Sequence, residues 1–202
     1  MTKPRLDSDV EVHQYVAETA VRLHGRLGDV SSAIRRSLEE QIPELRGDVA
    51  IVELLGTSVE SNVDTMLHAL RYNIAVERVE APTAALEYAR RLAQHGVPVN
   101  ALVRAYRLGQ RRMNELIFTE LRTIEVPEAI RVAVLEAITG AIFEFGFTDS
   151  ILQMWAAFCD ELVHGRSGMQ QPFYCVTPEE AHQSHLIFTE ALRSHAAWGG
   201  LK

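Results

Sequence analysis

The sequence predicts an almost entirely α-helical protein, and three observations lead to that fold class. The 202 residues include only 12 glycines and 7 prolines, the two residue types that most disfavour helix interiors. Long stretches between them are rich in Ala, Leu, Glu and Arg, which are good helix formers. Apolar residues recur along these stretches every three or four positions, the period of one buried helix face. We therefore expect a compact multi-helix bundle.

The first two helices are bounded by glycine and proline. An apolar face that begins shortly after Asp9 predicts the first helix, and Gly25 and Gly28 interrupt it. The second helix is expected to reach Ile42, because Pro43 follows directly. The N-terminal part of the chain should thus fold as a pair of consecutive helices.

Three further helices carry recognisable start and stop residues. Asp48 is expected to cap a third helix, whose apolar face extends to Ile74. Pro82 fits the first turn of a fourth helix, where its missing N–H costs nothing. Gly96 is the preferred residue just past a helix C-terminus, and Pro98 restarts the chain as a fifth helix.

A long sixth helix is expected from near Pro127 to about residue 163. Unbroken, it would extend about 50 Å at about 1.5 Å per residue, which exceeds the dimensions of a domain of this size. Gly140 and Gly146 within it indicate a close helix approach or a bend. Its apolar stripe holds more large side chains than one helix usually buries in its own monomer, which predicts a homodimer. These side chains are Phe143, Phe145, Phe147, Trp155 and Phe158.

The C-terminal segment reads as a separate unit. Residues 165–176 (GRSGMQQPFYCV) have the glycine, proline and polar content of a linker. Thr177 and Glu180 form a capping box that starts a short final helix. We divide the chain into a helical regulatory or sensory domain over residues 1–164 and a linker with a short helix over residues 165–202, whose role the sequence does not indicate.

Composition excludes several classes of protein. Cys159 and Cys175 alone cannot staple a fold of this size. No apolar run approaches about 18 residues, and the polar start of the chain does not resemble a signal peptide. We therefore expect a cytoplasmic protein without a membrane-bound segment.

Charge is concentrated in one basic belt. Residues 1–87 carry nine basic and fifteen acidic side chains, and residues 115–202 carry five and twelve. Residues 88–114 carry no acid, and we expect their arginines either to pair with acidic neighbours in the fold or dimer or to contact an anionic partner. The net charge of −7 argues against DNA binding by this chain. The arginines of the belt are Arg90, Arg91, Arg104, Arg107, Arg111 and Arg112.

Signatures of catalysis and of cofactor binding are missing. No glycine-rich nucleotide loop, serine-hydrolase motif or metalloprotease motif occurs. His182 and His185 lie one turn apart and near Cys175, but no fourth zinc ligand is evident. We expect no enzymatic activity, no metal and no cofactor. A helical protein that binds a small molecule or haem remains the alternative.

Two polar features stand out on the predicted helices. Asn62 interrupts an apolar stripe, with Ser58 one turn earlier, so it is expected to form a hydrogen-bonded tie to a neighbouring helix or to contact a ligand. Arg104, Arg107 and Arg111 line one face of the fifth helix. The residues predicted to shape a polar site for a ligand or partner are Ser58, Asn62, Arg104, Tyr106, Arg107 and Gln110.

Four segments resemble one known family. They are SVESNV at 58–63, PTAALEYARRLA at 82–93, GVP at 96–98 and LVRAYRLGQ at 102–110. In this order they resemble the RsbRD-type N-terminal domain, which opens many PucR/CdaR-like transcriptional regulators of actinobacteria and is named after co-antagonists in a stress-sigma-factor pathway. The resemblance covers about residues 10–164.

The resemblance implies an all-helical regulatory domain that is usually dimeric and not catalytic, and in some relatives globin-like without haem. PucR-like relatives continue into a DNA-binding helix-turn-helix, and residues 165–202 match nothing of that kind. The resemblance therefore implies a protein partner or a missing output domain, and it does not imply direct DNA binding by this chain.

Overall fold

The chain folds into six α-helices, as a computed structural model describes them over residues 4–46, 49–75 and 78–147. A short 3₁₀-helix, Pro43–Leu45, follows the second α-helix, and the described residues contain no strand. The predicted all-α bundle is confirmed for this part of the chain. The helices are α1 (Pro4–His24), α2 (Leu27–Gln41), α3 (Val49–Tyr72), α4 (Thr83–Gln94), α5 (Val99–Leu121) and α6 (Glu128–Phe147).

Helix α3 is the centre of the bundle. It packs against α1, α2, α4 and α6, while α5 packs against α2 and α6 on another side. The predicted apolar faces meet in one continuous core, in which Leu55, Leu92 and Ile117 are among the fully buried side chains. Burial of these faces is the main stabilisation of such a bundle.

Helix α1 starts five residues earlier than expected from the sequence. The expected start was near Asp9, and the helix begins at Pro4. Residues 4–8 carry Pro, Arg, Asp and Ser around a single leucine, so no apolar period marks the helix there. The hydrophobic period therefore gives no sign of the helix over these residues.

Helix α3 stops before its apolar pattern does. The predicted face extends to Ile74, but the helix ends at Tyr72 and Asn73 adopts a left-handed φ of 51°. The N–H of Ile74 donates to the carbonyl oxygen of Ala69 at 2.9 Å, which is the six-residue bond of a Schellman motif. Asparagine is the non-glycine residue that best tolerates this conformation, and it overrides the hydrophobic period here.

Helix α4 ends with the same motif at a glycine. Gly96 has a φ of 68°, and the N–H of Val97 donates to the carbonyl oxygen of Leu92 at 3.0 Å. The predicted stop is confirmed. Pro82 and Pro98 precede α4 and α5 as extended N-cap residues, one position before the first turn in which the sequence had placed Pro82.

Helix α6 continues without interruption through Gly140 and Gly146. A Cβ at Gly140 would meet no other heavy atom within 4 Å. The prediction of a close helix approach is therefore wrong for Gly140 among the described residues. None of the described helices has the length and apolar character needed to cross a membrane.

Several predictions concern residues outside the described part of the chain. These are the cap at Asp48, the continuation of the long helix towards residue 163, the linker at 165–176 and the final helix with its capping box. Cys175, His182 and His185 lie there too. Among the residues that are described, no group of three or more His, Cys, Asp or Glu side chains is arranged to hold a metal ion.

Candidate functional site

A cavity of about 100 Å³ lies between α2, α3, α5 and α6, and Tyr88 of α4 also lines it. Most of its wall is apolar. Four of the six predicted site residues line it together, although they come from two different helices: Ser58, Asn62, Tyr106 and Gln110.

Asn62 joins α3 to α5 at the cavity wall. The Tyr106 hydroxyl donates a hydrogen bond to Asn62 Oδ1 at 3.3 Å, and Asn62 Nδ2 donates to the carbonyl oxygen of Ser58 at 2.8 Å. The amide thus uses its acceptor across helices and its donor within its own helix. The predicted tie to a neighbouring helix is confirmed.

Gln110 forms a second tie, between α5 and α6. Its Nε2 donates to the carbonyl oxygen of Ile142 at 3.2 Å. Asn62, Tyr106 and Gln110 are half-buried, whereas Ser58 is buried. The polar part of the cavity wall is therefore also the place where three helices are fastened to one another.

Two tyrosines line the cavity, and their hydroxyls differ in partner. Burial raises the pKa of Tyr106 well above its usual range, and the hydrogen bond with Asn62 opposes part of that shift. Burial also raises the pKa of Tyr88, and the nearby carboxylate of Glu39 adds to the increase. Both phenols therefore stay protonated near neutral pH and act as donors.

Tyr88 is a polar residue that sequence reasoning missed. Its side chain is only 2% exposed, and its hydroxyl has no hydrogen-bond partner among the described residues. In the sequence it lies on the apolar stripe of α4 between Ala85 and Leu92, which indicates a core residue. The tyrosine itself was the available signal, because a tyrosine in an apolar stripe places a hydroxyl in the core, where it requires a hydrogen-bond partner.

Arg104 and Arg107 are not part of the cavity wall. Both are exposed on α5 and are absent from the residues that line the cavity. Arg104 Nη2 donates to Glu44 Oε1 in the 3₁₀-helix, whereas Arg107 forms no ion pair with any described residue. The predicted polar site is therefore divided between the cavity wall and the exposed surface of α5.

The basic belt is largely paired within the fold. Arg111 and Arg112 both contact Glu115 one turn further along α5, at 3.3 and 2.7 Å. Arg90 and Arg91 both contact Glu87 on α4, at 3.9 and 3.1 Å. The prediction of acidic neighbours is thus confirmed for every arginine of the belt except Arg107.

These arginines shift the pKa values of their partners. The hydrogen bond from Arg112, followed by that from Arg111, lowers the pKa of Glu115. A backbone hydrogen bond at Glu44, followed by the one from Arg104, lowers the pKa of Glu44. Both carboxylates are exposed, so solvent screens these interactions.

A charged cluster between α1 and α5 also escaped sequence reasoning. Glu120 is buried near the end of α5 and pairs with Arg26 and, at 3.8 Å, with Arg22. The two arginines lie 94 and 98 residues before it in the chain, so no local pattern connects them. The available signal was the position of Glu120 one turn after Ile117, on the apolar stripe of α5.

Residues 28–162 match the family described as the RsbT co-antagonist protein rsbRD N-terminal domain. The match covers more than half of the 202 residues. The chain belongs to this family. The rsbRD N-terminal domain is a regulatory domain of stress-response signalling. No curated protein and no solved structure matches the chain.

The rsbRD N-terminal match includes the cavity, both faces of α5 and all six predicted site residues. It begins at residue 28, within α2, and so leaves out α1, which the sequence had included in a resemblance from about residue 10. The actinobacterial PucR-like context and a globin-like helix arrangement remain predictions.

Proposed function

We propose that this rsbRD-type domain is a non-enzymatic, cytoplasmic regulatory module that passes a signal on by binding a protein partner. The observation that carries the proposal is the family match, since the family description names a co-antagonist of RsbT, and a co-antagonist acts on another protein. In this proposal the partner is a protein of the RsbT type. The domain belongs to a stress-response or transcription regulator.

The outer face of α5 is the proposed contact surface. Arg107 is exposed and has no ion pair with a described residue, while the partners of Arg104 and Arg111 are exposed carboxylates. Ion pairs between exposed groups contribute little stability, so a partner's carboxylates can replace them at little cost. Complementary charge at such a surface favours recognition of an acidic patch.

The experiment replaces Arg104, Arg107 and Arg111 by glutamine and measures binding to the RsbT-type protein of the same organism. We expect unchanged helicity by circular dichroism and an affinity that is about tenfold lower or weaker still. The matched control replaces Arg71, Arg90 and Arg91, which removes the same charge from α3 and α4. Equal losses in both variants, or no binding by the original chain, would overturn the proposed surface.

The original chain also serves to test the proposal that this domain does not bind DNA specifically. With a net charge of −7, any contact with a polyanion has to be local and strongly salt-dependent. We expect no sequence-specific binding to duplex DNA at physiological salt. Nanomolar binding to one sequence and not to others would contradict this part of the proposal.

A homodimer through α6 is the proposed assembly. Val132 of α6 is 64% exposed, and a Cβ at Gly140 would meet no other heavy atom within 4 Å, so both would be accessible to a second copy. Light scattering is expected to give about twice the monomer mass of 22.6 kDa. Val132→Glu should shift the chain towards monomer. Val49→Glu, at a 74% exposed valine that begins α3, is the matched control.

Ligand binding is the second candidate function, and the cavity is the observation that favours it. Its volume of about 100 Å³ is well below the roughly 300–1,000 Å³ of pockets for drug-sized ligands, so haem does not fit. No histidine is among its described lining residues. We expect purified protein to show no Soret band, and such a band would contradict this reading of the cavity.

A further inference from the structure

We propose that the groove between α2 and α5 receives an acidic segment of the partner protein, and that Arg36 of α2 is the main contact for its carboxylates. Arg111 lines this groove and also belongs to the proposed contact surface. The inference deepens the proposed function and rests on it, because it specifies the chemistry of the partner and adds a second helix to the surface that the partner meets.

The groove is open and its wall is mostly polar. Its volume of about 490 Å³ lies within the roughly 300–1,000 Å³ of pockets that hold ligands. Ala33 of α2 and Leu108 of α5 are its apolar lining residues among those described, and both are half-buried. Such a wall suits a segment whose side chains are mainly polar.

Positive charge exceeds negative charge in the groove. Glu115 already accepts hydrogen bonds from Arg111 and Arg112, so one carboxylate serves two guanidinium groups. Each guanidinium carries five N–H donors, so both arginines have donors left for a second carboxylate. The charged residues among the described lining residues are three arginines and two glutamates: Arg36, Arg111, Arg112, Glu40 and Glu115.

Arg36 provides a cation on the α2 wall. It is exposed, and its side chain forms no ion pair and no hydrogen bond with a described residue. A carboxylate that binds it therefore displaces no existing bond. A guanidinium pairs with a carboxylate through two parallel hydrogen bonds, so Arg36 can fix the direction of an acidic side chain as well as attract it.

Glu40 limits the density of negative charge that the groove accepts. It lines the groove and is exposed, and its carboxylate has no ion pair with a described residue. A nucleic-acid backbone would place like charge against it, and the net charge of −7 adds repulsion. A peptide can set one carboxylate against Arg36 and leave a neutral residue beside Glu40. The geometry therefore favours an acidic peptide over a polyphosphate.

The groove extends towards Arg104, the first arginine of the proposed contact surface. Arg104 pairs with Glu44 just after α2, whereas a Cβ at Gly109 would lie 3.9 Å from Ile34. The later residue of α5 thus faces the earlier residue of α2, so the two helices are antiparallel here. A partner segment that lies along the groove can contact Arg36 and continue to Arg104.

The test titrates the full chain with a peptide of alternating glutamate and glycine and follows backbone amide shifts by NMR. We expect this acidic peptide to bind and to shift the amides of residues 33–41 and 108–115. A second peptide with glutamine in place of glutamate should not bind. No shifts in these ranges, or equal shifts from both peptides, would overturn the inference. Tighter binding of a short DNA duplex to the same residues would also overturn it.

Two substitutions of opposite effect locate the carboxylate. Arg36→Gln should weaken binding of the acidic peptide about fivefold, as expected for the loss of one exposed charged contact. Glu40→Gln should strengthen it, because a like charge beside the peptide is removed. Arg71→Gln, at an exposed arginine of α3 outside the groove, is the matched control and should leave the affinity unchanged. Equal effects of Arg36→Gln and Arg71→Gln would contradict the inference.

A steric pair separates docking in the groove from attraction at a distance. Ser37→Trp fills the groove without a change of charge and should weaken binding of the acidic peptide and of the RsbT-type protein. Ser32→Trp, at an exposed position of α2 that does not line the groove, should weaken neither. If Ser37→Trp does not fold, Gln41→Trp, at an exposed lining residue, replaces it. Unchanged binding by a folded groove variant would overturn the inference.

The groove and the proposed function fail in different ways. If the variant of Arg104, Arg107 and Arg111 loses the RsbT-type protein while Arg36→Gln and Ser37→Trp bind it normally, the groove is rejected and the contact surface stands. If the acidic peptide binds in the groove but the RsbT-type protein does not bind the original chain, the proposed partner is rejected and the groove stands as a site for acidic segments.

Discussion

The two sides of α5 differ in what their polar groups hold together. On the inner side, Tyr106 and Gln110 hydrogen-bond to α3 and α6. On the outer side, Arg111 and Arg112 bond to Glu115 of the same helix. The inner polar groups therefore connect α5 to its neighbours in the bundle. Most of the outer ones pair only within α5, so the packing of the bundle does not depend on them.

This difference predicts that substitutions on the two sides of α5 have unequal effects on stability. Inner residues are held by several neighbours, so a substitution there changes the bundle. Outer residues keep their charge in water and can exchange partners. Helix α5 therefore carries packing groups and exchangeable surface charges on different faces.

The largest difference in stability between the two sides is expected when a buried side chain on the inner side of α5 is truncated. Ile117 is fully buried, so Ile117→Ala should lower the free energy of unfolding by about 2–5 kcal/mol through lost burial and a cavity. Arg111→Ala, at a side chain that is 77% exposed, should leave the urea midpoint unchanged. Similar losses from both variants would remove the distinction between the two sides.

The tie at the cavity wall should give the next largest effect. Asn62→Leu removes the acceptor of the Tyr106 hydroxyl and should cost about 1–3 kcal/mol. The double variant Asn62→Leu with Tyr106→Phe removes both partners and should recover part of that loss. A single variant that melts at or above the original chain would show that the amide stabilises nothing.

Two glutamates of α5 offer a matched pair of charges. Glu120 is buried and holds two arginines of the α1 end, whereas Glu115 is exposed and holds two arginines of its own helix. Glu120→Gln should cost about 1–2 kcal/mol by urea denaturation, because charge-assisted bonds across helices are weakened. Glu115→Gln should cost clearly less, and the reverse order would contradict the comparison.

The smallest effect should appear only in acid. The pKa of Glu115 is lowered in the folded chain from its usual value of 4.5, so its contribution to stability is present above that pH and is lost as the pH falls through the folded-state pKa. Melting temperatures of the original chain and of Glu115→Gln should therefore converge as the pH falls below 4.5. A difference that grows towards low pH would contradict the sign of the shift.

The sequence predicted the helices well because their faces are periodic, but it placed some ends wrongly. Gly96 marked the end of α4, and Asn73 performs the same role at α3 without being recognised. Glycine is a strong indicator of the left-handed conformation. Asparagine is a weaker indicator, because it also occurs at many positions that do not adopt this conformation.

The candidate site was predictable only in part. An amide within an apolar stripe indicated that Asn62 needs a partner, but the partner Tyr106 lies 44 residues away, and only the tertiary arrangement of the helices brings the two together. Arg104 and Arg107 do not line the cavity with the residues with which the sequence had grouped them, and for Arg104 the helical period of roughly 100° per residue already places it away from Tyr106. Adjacency along a helix does not tell which face a residue joins.

Helix α1 precedes the family range, yet it supplies Val16, Ala20 and Leu23 to the core. Arg22 of α1 and Arg26, which follows that helix, both pair with Glu120. The residues that match the family, 28–162, therefore do not include every residue of the folded core. A gene fusion or expression fragment cut at residue 28 would expose one wall of its own interior to water and to aggregation. A fragment that is meant to fold on its own therefore has to include α1.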